Sequence, residues 1–245
     1  LLMRTLGDCC GEMNLAHFAC LLKEWMKKGI SEHGQKHALD VGGTTYDAIT
    51  SQSFTTDPLL GSKSRTTRTV GNGCAMRTAP IGCFKFWDLN TVAKYALNFG
   101  CVTHFSPICG VCTVLVSVLI AEQIRRASSK KEEPKISSDQ IDELIEYSIK
   151  IVDDAMKPEF NVEEKRPEIL RFLKAEKFED LELCCSKIGN VLKATGAAVL
   201  ALRKGLEFEK AMEEVIWWAG DADTNAAVVG GIIGAKLMRK IPDIG

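Results

Sequence analysis

The sequence has no surplus of charge of either sign, and this limits what the protein is expected to bind. Its 31 Lys and Arg residues balance 32 Asp and Glu residues, for a formal net charge of −1. There is therefore no electrostatic case for nucleic acid or an anionic membrane as a partner. No signal peptide is visible. The longest apolar run, Ile108 to Ala121, is too short and too rich in Cys, Ser and Thr for a bilayer span, and it predicts a buried central helix.

The sequence also lacks the alternation of polar and apolar residues that is typical of strands, and it contains no internal repeat. Apolar residues instead recur at helical spacing, as in Leu15, Phe18, Leu22 and Trp25. A length of 245 residues and a hydrophobic content of 46% fit a globular protein with a substantial core. The predicted fold class is all-α, a compact single-domain helical array over residues 1–245.

The helical pattern predicts several separate segments. They are 14–28, 45–53, 74–86, 89–98, 107–126, 141–152, 195–202, 208–218 and 226–238, with one or two short helices in 167–181. Two polar segments are predicted not to be helical. Phe54 to Val70, with its basic stretch Lys63 to Arg68, is predicted as a mobile loop, and Ser128 to Ser138 as an exposed linker.

Ten cysteines are many for this chain, but they are scattered through apolar or helical contexts. This usage predicts a reduced, cytoplasmic protein with mostly buried thiols. Cys109 and Cys112 form a lone C-x-x-C inside the apolar run, where core packing is favoured over zinc or redox chemistry. His33 and His37 lie in a polar stretch that favours a solvated loop over a metal site.

The most distinctive stretch runs from Gly220 to Ala227 and continues as a helix of small residues. It offers the carboxylates of Asp221 and Asp223 and the hydroxyl of Thr224, hard oxygen ligands of the kind that Mg²⁺ or Mn²⁺ prefers. The simpler interpretation is that one of the two aspartates caps the helix. The stretch alone does not decide between metal binding and capping. Asn225 is expected to bond to backbone rather than to metal.

Two further stretches bear on the function. The glycines in Gly71, Asn72 and Gly73 permit close approach of backbone N–H groups to a phosphate, although a lone G-x-G is usually only a turn. Arg77 follows, and a phosphate contact and an ion pair in the core are equally compatible with its position. His104 lies in a T-H-x-x-P segment, and a lone histidine is more often structural than functional.

Taken in chain order, the G-x-G stretch, the T-H-x-x-P segment and the stretch from Gly220 resemble the motifs of the ADP-ribosylglycohydrolase family. This family includes the dinitrogenase-reductase-activating glycohydrolases. The last, of the form G-D-x-D-T-x-A-A-x-x-G, is the most specific, and the resemblance runs from Leu21 to Ala235. It implies helices around a dinuclear site for Mg²⁺ or Mn²⁺. Asp221, Asp223 and Thr224 would be the C-terminal metal ligands, with the two aspartates catalytic.

The resemblance also implies a substrate, which is an ADP-ribosylated protein or an ADP-ribosyl small molecule. Its N- or O-glycosidic bond would be hydrolysed at the C1″ atom, with metal ions holding the ribose hydroxyls and a water. Gly71, Asn72 and Gly73 would bind ribose and phosphate, and His104 would orient the ribose. Asp40 lies in a loop that resembles another segment of the family. The group that carries the ADP-ribose is left open.

One motif of the family has no counterpart in the sequence. In the family, a T-D-D-T motif with further metal ligands precedes the first helix, and none occurs before Leu1 or later in the chain. We therefore expect either that the N-terminal part is missing or that half of the metal site is lost. Expressed from Leu1 alone, the chain is expected to release little or no ADP-ribose. The alternative to a hydrolase is a non-catalytic ADP-ribosylglycohydrolase-like binding or structural protein, and the acid/base residue is unassigned.

Overall fold

The structure is a computed structural model that describes residues 1–30, 33–128 and 135–237. These residues form α-helices and three short 3-10 helices, with one isolated antiparallel bridge between Gly71 and Asn190 and no strand. The all-α fold class is confirmed, and the single domain over residues 1–245 stays a prediction. The α-helices are α1 (Leu2–Asp8), α2 (Leu15–Lys28), α3 (Gly43–Ile49), α4 (Pro58–Thr66), α5 (Ala79–Cys83), α6 (Leu89–Cys101), α7 (Pro107–Ser128), α8 (Ser138–Met156), α9 (Arg166–Leu173), α10 (Val191–Arg203), α11 (Phe208–Trp217) and α12 (Ala222–Ala235).

Helix α7 is the central helix, and α5, α6, α8, α10 and α12 all pack against it. Nearly all of its 22 residues are buried, on every side of the helix. By length and composition it could span a membrane, so the prediction that the run is too short was wrong. The apolar 18-residue stretch of this helix is nevertheless completely buried inside the protein, as expected of a core helix.

The cysteines are all free, but they are less buried than predicted. Cys109 and Cys112 lie in α7 with no exposed surface, which confirms core packing for the C-x-x-C pair. The prediction of mostly buried thiols was wrong, because five cysteines are exposed: Cys10, Cys20, Cys83, Cys184 and Cys185. His33 and His37 are exposed, as expected for a solvated loop.

The segment predicted as a mobile loop contains the helix α4. The carboxylate of Asp57 caps this helix and Pro58 lies in its first turn, which is the position where proline favours a helix start. Its polar side chains turn inward. The hydroxyl of Ser62 donates to the carbonyl of Cys101, and the hydroxyl of Thr66 donates to the carbonyl of Ser62. Because these hydroxyls replace apolar groups on the buried face, the segment lacks the usual helical pattern of apolar residues.

The single helix predicted over residues 74–86 is divided in two. A 3-10 helix covers Ala75–Arg77, and α5 follows with Pro80 in its first turn. Proline has no backbone N–H and disfavours a helical conformation in the residue before it. A new helix therefore begins at the proline, and the segment turns between the two.

Two C-terminal helices begin earlier than predicted. Asn190 caps α10 by accepting the N–H of Leu192 at 2.9 Å, so α10 starts at Val191 rather than at residue 195. Helix α12 starts at Ala222 rather than at residue 226, which places the aspartate motif in its first turn. The end predicted at residue 238 lies outside the described residues, as do residues 129–134 of the predicted linker. Helix α1 was not predicted.

Candidate metal and substrate site

The residues of all three sequence motifs line one cavity of about 510 Å³. Its walls come from α2, the segment that leads into α3, the loop after residue 70, the turn before α7 and the first turn of α12. The lining residues are Leu1, Leu22, Trp25, Asp40, Gly42, Gly43, Thr44, Thr45, Gly71, Asn72, Gly73, Met76, Arg77, His104, Gly189, Asp221, Asp223 and Thr224. The fold therefore brings every predicted site residue to one place.

The carboxylate of Asp221 does not cap α12. Asp221 occupies the N-cap position, but its side chain forms no capping hydrogen bond. Instead, Oδ2 of Asp221 accepts a hydrogen bond of 2.7 Å from Nδ2 of Asn72. The capping interpretation therefore does not hold for Asp221. Asn72, which was predicted to contact substrate, is placed to orient this carboxylate.

The two carboxyl groups of the motif lie within reach of each other. A hydrogen bond with the Asp221 carboxyl, followed by the backbone N–H of Thr224, holds the pKa of Asp223 below its ordinary value. Asp223 therefore stays ionised at neutral pH. It is exposed and Asp221 is half-buried, so both carboxylates are accessible from the cavity.

Thr224 and Asn225 follow in the first turn of α12, and both are buried. The Thr224 hydroxyl lies 3.6 Å from the thioether sulfur of Met76, which follows the G-x-G loop. The side-chain amide of Asn225 has no hydrogen-bond partner among the described residues. The expected bond from this amide to backbone is therefore not formed with the described part of the chain.

The turn into α12 depends on a glycine in a confined space. Ala219 and Gly220 both have left-handed backbone conformations, with φ values of 54° and 71°. A Cβ atom added to Gly220 would lie 2.1 Å from the carbonyl oxygen of Leu183, which is far inside van der Waals contact. Gly220 therefore meets two requirements, a positive φ and close backbone packing, and together they fix where Asp221 begins the helix.

Backbone hydrogen bonds hold the G-x-G loop against the segment that precedes α10. The N–H of Asn72 donates to the carbonyl of Gly189 at 3.0 Å, and the N–H of Val191 donates to the carbonyl of Val70 at 2.7 Å. The N–H of Gly71 donates to a neighbouring threonine hydroxyl at 3.2 Å. The N–H groups of Gly71 and Asn72 are thus already used, so the phosphate-binding loop expected from the sequence is not formed by these two groups.

The two glycines of this loop instead leave room for the ring of His104. A Cβ atom on Gly71 would lie 3.1 Å from Nε2 of the ring, and one on Gly73 would lie 3.1 Å from Cε1. The ring is only 2% exposed. Its burial, followed by the nearby charge of Arg77, lowers the pKa of His104 to about 3. His104 is therefore neutral at physiological pH.

Arg77 donates its hydrogen bonds to the protein itself. Its guanidinium donates to the carbonyls of Gly73 at 2.8 Å and Phe99 at 3.1 Å, and to the hydroxyl of Thr103 at 2.7 Å. The core ion pair considered for Arg77 is not formed with any described residue. The guanidinium links the G-x-G loop, the end of α6 and the residue before His104, so it is a structural bridge beneath the cavity.

Sequence reasoning missed several residues that line the cavity. Thr44 and Thr45 lie in the first turn of α3, and the Thr44 hydroxyl lies 2.9 Å from that of Thr69. Gly189 lies beside the Asp221 carboxylate, since a Cβ atom added to Gly189 would lie 3.5 Å from Oδ2 of Asp221. The Gly42-Gly43-Thr44 run was a local signal for a turn before a helix. Nothing local signals Gly189, because its position depends on pairing with a distant loop.

The donor set fits a hard divalent cation. Asp221, Asp223 and Thr224 supply oxygen atoms only, and neither aspartate is paired with a Lys or Arg in the described part of the chain. No group of three or more His, Cys, Asp or Glu side chains that could hold a metal occurs among the described residues. The motif thus provides two carboxylates and one hydroxyl, which suffices for part of the shell of one ion.

The fold and the site together define an all-α protein in which three separated motifs meet at a carboxylate-bearing cavity. The sequence model of the family described as ADP-ribosylglycohydrolase matches residues 1–243, and the chain belongs to that family. Over 167 residues, the chain is 28% identical to an uncharacterized protein of Archaeoglobus fulgidus. The matched stretch covers 67% of this chain and 48% of the relative, so the chain spans about half the length of the curated relative that it matches.

Substitution of Gly220 by alanine tests the confined turn before α12. We expect Gly220→Ala to destabilise the protein well beyond the roughly 1–2 kcal/mol of a left-handed alanine, because the added methyl meets the Leu183 carbonyl. Gly34→Ala is the matched control, since Gly34 has a similar φ of 69° and no atom of a described residue lies within 4 Å of the added Cβ position. Urea denaturation of both variants gives the comparison, and equal losses of stability would contradict the steric argument.

The buried ring of His104 predicts a pH dependence of stability. The ordinary histidine pKa near 6.5 applies to the unfolded chain, whereas the folded value is about 3. As pH falls below about 6.5, His104 binds a proton in the unfolded state but stays unprotonated in the folded state. The contribution of His104 to the free energy of unfolding should therefore be complete above pH 6.5. It should decrease between pH 6.5 and pH 3, by up to ~1.4 kcal/mol per pH unit.

Urea denaturation at several values between pH 7.5 and 4.5 measures this effect. His104→Gln should flatten the decrease, and His37→Gln, in the exposed loop, controls for the removal of one histidine. A slope in His104→Gln as steep as in the wild type would show that His104 does not cause it.

Proposed function

We propose that this protein is a Mg²⁺-dependent hydrolase that releases ADP-ribose from an ADP-ribosylated protein or an ADP-ribosyl small molecule. The observation that carries the proposal is the meeting of Asp221 and Asp223 with Gly71 to Gly73 and His104 around one cavity, in a chain of the ADP-ribosylglycohydrolase family. The volume of about 510 Å³ lies within the usual range for small-molecule sites.

Asp221, Asp223 and Thr224 are the residues proposed to hold the metal. Their oxygens suit Mg²⁺, and Mn²⁺ should replace it because both prefer carboxylate and water ligands. Asn72 would keep the Asp221 carboxylate in its orientation through the 2.7 Å hydrogen bond. A second ion, which the family resemblance implies, would need donors beyond these three.

The charge of the cavity supports a role for the metal in binding an anionic substrate. Asp40, Asp221 and Asp223 line the cavity, and Arg77 is the one cationic side chain among its described lining residues. The guanidinium of Arg77 is already bonded to backbone carbonyls and to Thr103. A pyrophosphate group would therefore be repelled unless a cation neutralises the carboxylates.

The other walls suit the remaining parts of ADP-ribose. Leu22 and Trp25 give the cavity an apolar side, which favours a ring-containing group. Thr44 and Thr45 add hydroxyls, and neutral His104 adds a polar edge. When bound, the metal would supply Lewis-acid chemistry and an activated water for cleavage of the glycosidic bond. The residues of the chain hold the substrate and orient the carboxylates around it.

Metal binding tests the ligand assignment. We expect the wild type to bind Mn²⁺ in a titration followed by electron paramagnetic resonance, and Asp223→Asn or Asp221→Asn to weaken binding by more than about 10-fold. Asn72→Ala should weaken it by roughly 10-fold or more, since it leaves Asp221 unoriented. Asp154→Asn, an exposed aspartate in α8, is the control and should bind as the wild type does. Unchanged affinity in Asp223→Asn would contradict the assignment.

Release of ADP-ribose tests the reaction. The protein is incubated with Mg²⁺ and substrates that carry ADP-ribose on arginine, on serine or on a small molecule, and free ADP-ribose is measured by chromatography. We expect little or no release from the chain expressed from Leu1 alone, and release from at least one substrate once an upstream segment bearing the T-D-D-T motif is added. Chelation of the metal should abolish that release, and Asp223→Asn should lower it about 100-fold or more. Binding of ADP-ribose without any release, even with the added segment, would instead favour the non-catalytic alternative.

A further inference from the structure

We propose that Arg77 and Thr103 are positioning residues that hold His104 as the tautomer with its proton on Nε2, so that His104 offers a hydrogen-bond donor to an oxygen atom of the ligand. The identity of the ligand rests on the proposed function. The hydrogen-bond pattern that carries the inference belongs to the protein alone.

The pattern begins at a group that only donates. Nη2 of Arg77 lies 2.7 Å from the hydroxyl oxygen of Thr103, and a guanidinium has no acceptor atom. The Thr103 oxygen therefore accepts this hydrogen bond. Its own proton must point to a different partner.

The Thr103 hydroxyl has one acceptor available among the described residues. Thr103 has no exposed surface, and its oxygen lies 2.7 Å from Nδ1 of His104. A buried hydroxyl proton without an acceptor is unfavourable, so the hydroxyl donates to Nδ1. Arg77 thus decides the direction of the hydrogen bond between Thr103 and His104.

A neutral imidazole that accepts at Nδ1 carries its proton at Nε2. Burial keeps the ring neutral by lowering the pKa of His104 to about 3. Nε2 lies between the two loop glycines, 3.1 Å from the built Cβ position of Gly71 and 3.3 Å from that of Gly73. It forms no hydrogen bond with any described residue, and His104 lines the cavity. The Nε2 proton is therefore the one that the ring can offer to a ligand.

A donor at this position selects for an oxygen acceptor. In ADP-ribose the candidates are a phosphate oxygen and an oxygen of the terminal ribose, and both accept the same hydrogen bond. The opposite tautomer would present a bare nitrogen, which repels a phosphate oxygen and accepts only from a hydroxyl. The tautomer therefore determines which ligand atom can approach His104.

The direct test is the tautomer of His104 in the free protein. Long-range ¹H–¹⁵N spectra of protein labelled at histidine distinguish a protonated from an unprotonated ring nitrogen, and His104→Gln assigns the signals. We expect Nε2 to be protonated and Nδ1 unprotonated at neutral pH. A proton on Nδ1 in the wild type would overturn the proposal, whatever the variants do.

Three variants test the positioning roles. Thr103→Val keeps the shape of the side chain but removes the donor to Nδ1, so a second tautomer should appear, and Thr103→Ser should restore the wild-type spectrum. Arg77→Met removes the donor to Thr103, so the hydroxyl becomes free to accept and Nδ1–H signals should appear. An unchanged spectrum in folded Arg77→Met would remove Arg77 from the proposal. Circular dichroism shows whether each variant is folded.

Calorimetric titration adds the ligand. With Mg²⁺ present, Thr103→Val should lower the affinity for ADP-ribose by roughly 2- to 10-fold, the effect of one neutral hydrogen bond, and Thr103→Ser should not. An equal loss for ADP assigns the acceptor to phosphate, and a loss confined to ADP-ribose assigns it to the terminal ribose. Unchanged affinity in folded Thr103→Val would contradict the proposed donor.

The two proposals fail in different ways. A wild type with the Nε2–H tautomer that binds no ADP-ribose would overturn the proposed function and leave the hydrogen-bond pattern in place. A wild type with the Nδ1–H tautomer that releases ADP-ribose would overturn the inference about His104 and leave the proposed function in place.

Discussion

Helix α7 is apolar on every side, and a helix of this kind is stable in water only when other elements cover all of its sides. Five helices provide that cover, among them α5, α6 and α12. The 3-10 helix Ala75–Arg77 contacts both α7 and α12, so it lies where the core meets the aspartate motif. The packing that buries α7 thus also sets the distance between the G-x-G loop and the aspartate motif.

Arg77 carries a charge into this packed region, and no carboxylate of a described residue pairs with it. Carbonyl oxygens and one hydroxyl replace the counterion, because each offers the guanidinium a partially negative atom at hydrogen-bond distance. The bonded Nη1 and Nη2 groups hold their loops in one geometry, since leaving them unpaired in the interior is unfavourable, whereas Nε has no hydrogen-bond partner among the described residues. The loop of Gly71 to Gly73 is therefore held in place by hydrogen bonds to Arg77 and to the segment that contains Gly189.

Much of the fold followed from local sequence. The helical class, the extent of α2 and the central position of α7 could be predicted, because apolar spacing and end signals such as Gly29 act locally. Helix α4 was missed because Ser62 and Thr66 face inward as hydrogen-bonding groups. The start of α12 was misplaced because the turn at Gly220 depends on packing against the distant Leu183. The start of α10 was misplaced although its cap, Asn190, is a local signal.

The sequence predicted which residues belong to the candidate site, but not how those residues are arranged. The motif pattern pointed to Asp221, Asp223, His104 and the G-x-G loop. The sequence could not tell that Asn72 bonds Asp221, or that the loop glycines make room for a ring. Those facts depend on contacts between residues more than a hundred positions apart or on the packing of a single side chain. Local periodicity carries no information about either.

The excess of carboxylates in the cavity links the binding of cations and anions. Asp40, Asp221 and Asp223 repel an anionic ligand, and the charge of Arg77 is taken up by the protein. Any cation bound at these carboxylates lowers that repulsion and so raises the affinity for the anion. By thermodynamic reciprocity, the anion raises the affinity for the cation by the same factor. Neither dissociation constant of such a cavity is a fixed property of the protein, because each one depends on the concentration of the other ligand.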